Sequence, residues 1–128
     1  MTKTIEKKEW KNFFDAVSTD FASWETLVQV ISNDVGAQTI SEGLPFGGIT
    51  FEDKEGDATI ELLLGVGTEN HQSHVVADPS TVAFEPDNSG IGGVLDIEDS
   101  IGTKTLVRFV QPLPELVEFT ETTVFAVS

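Results

Sequence analysis

The residues of this chain best suited to chemistry are His71 and His74, with Glu69 just ahead of them. Imidazoles and a carboxylate form a donor set that zinc, copper or nickel accepts, provided about three protein ligands converge on one point. The spacing argues against convergence. Side chains on a strand alternate, so positions three apart face opposite sides, and only a turn or bulge would unite His71 and His74. The expected arrangement is one exposed histidine and one bonded to a neighbouring backbone group. No metal or other cofactor is expected on that reading. Its alternative is a small-ligand or metal-binding barrel with His71 and His74 at the mouth.

Other chemistry-bearing patterns are weaker. Asp87, Ser89, Gly92 and Glu98 fall at the first, third, sixth and twelfth positions of a calcium loop. The fifth position, Ile91, has no side-chain oxygen, and the flanks read as strands where a calcium loop has helices. Gly65-Val66-Gly67 lacks the third glycine and the following helix of a dinucleotide loop, so turn glycines explain it. Carboxylates crowd two hairpin tips, Glu52, Asp53, Glu55 and Asp57 at one, and Asp96, Glu98 and Asp99 before the other. Such tips keep sheet edges soluble, and nothing in their spacing fixes the facing pair that a carboxylate hydrolase needs. No Gly-x-Ser-x-Gly occurs, and the chain has neither Cys nor Tyr. A non-enzymatic protein is expected.

Charge narrows the partners. Acidic residues number 22 against seven basic ones, for a formal net charge of −15. Lys3, Lys7, Lys8 and Lys11 lie in the first eleven residues, and only Lys54, Lys104 and Arg108 follow. That field repels phosphate backbones and anionic lipid heads, so neither nucleic acid nor membrane is an expected partner. The N-terminus lacks the apolar run of a signal peptide, and no stretch approaches the ~18 apolar residues of a span. Together with the missing Cys, this points to the cytoplasm.

The elements that position these residues follow from periodicity. Trp10, Phe13, Phe14, Val17, Phe21 and Trp24 form one helical stripe, which predicts a helix over about residues 5 to 22, with Thr4 as N-cap. After Ser23 the period becomes 2. Val28 and Val30 mark a strand, Asn33 to Gly36 a turn, and Ala37 to Glu42 a weaker strand ended by the glycines of 43–48. Ile49 and Phe51 return through a five-residue loop to Ile60, Leu62 and Leu64, a hairpin. Leu95 and Ile97 make a second hairpin with Val107 and Phe109 around Asp99-Ser100-Ile101-Gly102. Two shorter strands, His74–Val76 and Thr81–Phe84, flank Pro79, which is tolerated only at an edge, bulge or break. One helix and six to eight short strands predict an α+β fold, the helix packed on a bent antiparallel sheet or small open β-barrel.

The order of motifs then becomes informative. Glu9-Trp10 with Phe13-Phe14, Gly36-Ala37-Gln38, Leu44-Pro45 and Gly48-Ile49-Thr50-Phe51 resembles an uncharacterised family of small bacterial domains of unknown function. His74, Val76, Pro79 and Gly102-Thr103 extend the resemblance, which runs from about residue 6 to 111. It implies one small domain and no activity. Residues 1–128 are read as that single domain, its core over about 5–111, with 112–128 a C-terminal strand or appendage. The tail carries Phe119, Val124, Phe125 and Val127 among β-prone threonines, which predicts pairing with its own sheet edge or a second subunit's. The expected role is therefore contact with a protein partner or a homodimer. Trp10, Trp24, Phe119 and Phe125 are the candidate anchors.

Overall fold

A computed structural model describes residues 2–88 and 92–110. Strand β1 (Lys3–Ile5) and a 3-10 turn (Lys7–Glu9) lead into helix α1 (Trp10–Asp20). Then come β2 (Glu25–Ser32), β3 (Gly36–Lys54), β4 (Asp57–Leu64), β5 (Gln72–Ala77), β6 (Pro79–Pro86), β7 (Gly93–Asp99) and β8 (Lys104–Val110). Every pairing among these strands is antiparallel, in the spatial order β1-β6-β7-β8-β2-β3-β4-β5. The fold is α+β, one short helix on a large, open, barrel-like antiparallel sheet. The C-terminal residues 112–128, with Phe119 and Phe125, lie outside the described residues.

The helix is shorter than its stripe predicted. Residues 3–5 pair with β6 instead of starting α1, and Thr4, expected as the cap, sits opposite Ala83 in that ladder. No side chain caps α1 at Glu9. Burial holds the helix in place, as is usual for a helix of three turns. Trp10, Phe14 and Val17 are buried, and the Trp10 indole N–H donates to the Ile5 carbonyl at 3.0 Å, tying β1 to the helix. Rings continue the packing into the sheet. Trp10 meets Phe51 edge-on at 5.2 Å, Phe13 meets Phe84 at 6.2 Å, and Phe21 stacks on Phe109 at 4.4 Å.

Strand β3 is the larger correction. The glycines of 43–48 do not end it; the chain runs through them for 19 residues. Its first half pairs with β2 as far as Pro45, and its second half pairs with β4 from Phe46 onward. Register shifts in the β2 ladder and between Phe46 and Gly48 bend the strand as it changes partners. Gly43 at φ 87° and Gly48 at φ 142° supply backbone conformations that other residues rarely adopt.

The two hairpins form where the alternation placed them. The β3–β4 turn is tighter than the five residues expected. Lys54 pairs with Asp57, which leaves Glu55 (φ 54°) and Gly56 (φ 91°) as a two-residue turn with both φ positive. At the β7–β8 turn, Asp99 Oδ1 accepts the N–H groups of Ile101 at 3.0 Å and Thr103 at 2.9 Å.

Asp78 alone joins β5 to β6, yet these strands do not pair with each other. Pro79 opens β6 beside a register shift, where its missing N–H does no harm. The sheet coils until its flanks approach. The Asp78 N–H donates to the Ala58 carbonyl at 2.9 Å, and the Asp78 carbonyl accepts from Ser100 at 3.0 Å. Inside the coil lie Val28, Ile49, Ile60, Leu62, Leu64, Val82, Leu95, Ile97, Val107 and Phe109, each at most 2% exposed. Among the described residues no helix is long and apolar enough to cross a membrane.

Candidate functional site

Strand β5 places the two histidines differently. His74 lies opposite Leu62 and turns inward, its Nε2 3.4 Å from the Thr105 hydroxyl of β8 across the coil. Burial pushes the His74 imidazole below its ordinary pKa, which favours the neutral ring. Its partner is thus a threonine side chain, not the backbone group expected. His71 precedes β5 and is exposed, as is Glu69 in the preceding turn. The three candidate ligands are not brought together, and among the described residues no group of three His, Asp or Glu could hold a metal ion. His71 instead lines an open cleft of about 430 Å³ with Glu42, Asn70 and Ser41. Ser41 Oγ is buried there without a hydrogen-bond partner among the described residues.

The acidic hairpin residues Glu52, Asp53, Glu55 and Asp57 are exposed, and Asp53 Oδ1 accepts the Gly56 N–H at 3.2 Å to close the turn. Asp96 differs from them. Its Oδ1 is buried without a hydrogen-bond partner among the described residues, and burial raises its pKa against the pull of Lys104, 4.0 Å away, with Glu98 adding to the rise.

Of the aromatic anchors expected, Trp10 is 2% exposed. The sheet covers more of the helix stripe than anticipated, because Phe51, Phe84 and Phe109 all turn toward it, so Trp10 offers no surface ring. Trp24 is half-buried and packs edge-on against Phe21 at 4.7 Å.

A different surface emerges at the sheet end where turns gather. The β2–β3 turn carries Val35, 62% exposed, and the β7–β8 turn carries Ile101, 79% exposed. Because β2 pairs with β8, these turns are neighbours: Ile31 lies opposite Lys104, and a Cβ on Gly102 would sit 4.0 Å from the Asn33 amide nitrogen. Exposed carboxylates of Asp34 and Asp78 and the half-buried Asp99 surround them. Sequence reasoning passed over this pair, although a signal was present. Asn33-Asp34-Val35-Gly36 and Asp99-Ser100-Ile101-Gly102 each hold a β-branched aliphatic residue directly before the turn glycine, a position usually given to polar residues.

A coiled antiparallel sheet covered by one aromatic helix, with a histidine turned inward and aliphatic turns turned outward, defines a small α+β domain. The chain belongs to DUF5335, a family of unknown function whose model matches residues 1–116. That match extends five residues past the end of the resemblance read from the motifs. A protein of Aquifex aeolicus (strain VF5), described as uncharacterized, is 27% identical over 116 residues, covering 89% of this chain and 98% of that protein. No solved structure matches.

Proposed function

We propose that this chain is a non-enzymatic, cytoplasmic domain that acts by contact with a protein partner. The observation that carries the reading is the exposed pair Val35 and Ile101 on adjacent turns. Isolated aliphatic residues on a surface need no explanation, but two on neighbouring turn tips, each chosen against turn preference, form a small apolar contact point. Turns held by a rigid sheet are also where binding residues concentrate.

The rim selects the partner. Asp34, Asp78 and Asp99 would face the same carboxylates if two copies met end to end, and like charges opposed at an interface are unfavourable. The matching surface is therefore a different protein, with an apolar pocket for Val35 and Ile101 and a basic rim around it. The chain's net charge of −15 disfavours nucleic acid in that place.

The test is a Val35→Ser, Ile101→Ser double variant compared with the wild-type chain in affinity capture from its source cells. A protein retained by the wild type and lost by a folded double variant supports the reading. Identical captured sets contradict it.

A further inference from the structure

We propose that a lysine-lined cleft between the start of α1 and the β3–β4 hairpin binds a short acidic peptide segment. The cleft, about 500 Å³, is lined by Lys7, Lys8, Lys11 and Lys54, with Glu52 and Asp53 on the hairpin side. Folding creates this cluster, since Lys54 is 43 residues beyond Lys11 in the chain. Four of the seven basic side chains thus meet at one place on a chain whose formal charge is −15. A neighbouring cleft of about 450 Å³ shares Lys8 and adds Lys3, with Glu6 and Glu9 also in its lining.

Among the described residues the ion pairs leave these lysines largely unengaged. Lys8 meets Glu6 at 3.4 Å with both side chains more than two-thirds exposed, a weak pair, while Lys7, Lys11 and Lys54 form none. Lys7 lies 6.0 Å over the Trp10 ring, and Trp10 packs against Phe51, which lines the cleft. The cleft therefore joins the half-buried ring of Phe51 to four lysines, of which Lys11 and Lys54 form no ion pair among the described residues.

Two features select an acidic peptide. The ammonium groups come from separate elements, which suits several spaced carboxylates better than one compact anion, and in the lining they outnumber Glu52 and Asp53 two to one. A short segment can be seated on the lysines, while duplex DNA or an anionic membrane would extend many times the ~8 Å screening length onto the acidic remainder. The site uses none of the turn-tip residues, so it stands independently of the contact surface at Val35 and Ile101.

Fluorescence anisotropy on the full chain tests this, using a labelled twelve-residue peptide of alternating Glu and Leu. At ~50 mM salt we expect saturable binding that weakens at least fivefold by ~200 mM. K11E and K54E, reversing charges on two different elements, should each weaken binding at least fivefold, while K104E, outside the cleft, stays within twofold of wild type. Circular dichroism confirms that each variant is folded. Absence of binding at ~50 mM, or K54E matching K104E, would overturn the proposal. So would tighter binding of inorganic phosphate, a duplex oligonucleotide or phosphatidylserine vesicles than of the peptide.

Discussion

Ser18 of α1 and Ile49 of β3 exchange two hydrogen bonds: the Ser18 hydroxyl accepts the Ile49 N–H at 3.0 Å and donates to the Ile49 carbonyl at 3.1 Å. Strand β2 stops pairing with β3 at Pro45, so among the described residues Ile49 has a strand neighbour only on the β4 side. The hydroxyl stands where a further strand would have been. One side chain thereby satisfies both backbone groups of a residue that is 1% exposed.

Ser18→Ala should therefore destabilise the domain by about 1–3 kcal/mol, the cost of leaving buried polar groups unpaired. Urea titration gives the value. A loss below ~0.5 kcal/mol would mean that water replaces the hydroxyl without penalty.

Phe14 is 1% exposed at the centre of the helix stripe and tilts against Phe13 at 5.8 Å. Truncation to alanine is expected to cost about 3–5 kcal/mol. A cost under ~1 kcal/mol would place this face outside the core.

His74 gives the fold a defined pH response. Burial lowers its pKa in the folded chain, so the unfolded chain takes up the proton first as pH falls below about 6.5. Its stabilising contribution is complete above that pH. It declines on acidification until the folded ring is itself protonated. Unfolding free energy should thus drop more between pH 7.5 and pH 5.0 in the wild type than in His74→Gln. Equal drops, or an NMR titration of His74 at or above its ordinary value, would contradict the placement of the ring.

The β3–β4 turn holds Glu55 at φ 54°, a conformation that suits Asn or Gly better than Glu. Glu55→Asn should raise stability by about 0.5–1 kcal/mol, read as a higher thermal midpoint. A lowered midpoint would show that the turn has another geometry.

Alternation made β4, β7 and β8 readable, because each buries one face and a period of 2 is then unambiguous. The helix was readable in its stripe and not in its start, since residues 3–5 gain more from pairing with β6 than from another helical turn. Ser18 illustrates the gap. By its position on the helix it belongs to the polar side, and only the partner change within β3 gives its hydroxyl a task. The bend in β3 was hidden for a related reason: glycines that end a strand and glycines that bend one look alike in sequence. At the surface, Val35 and Ile101 were visible as turn residues, but their adjacency depends on β2 pairing with β8. Lys54 joins the N-terminal lysines only after the hairpin folds back beside α1.

Site-specific photo-crosslinking in the source cells tests the contact surface most directly. A photoreactive residue replaces Ile101, or, as a control away from the turns, Ser73, which is exposed on β5. A discrete adduct with another protein is expected from position 101, absent from position 73 and lost when Val35 is changed to Ser. No adduct from position 101, or the same adducts from both positions, would contradict a partner seated on the turn tips.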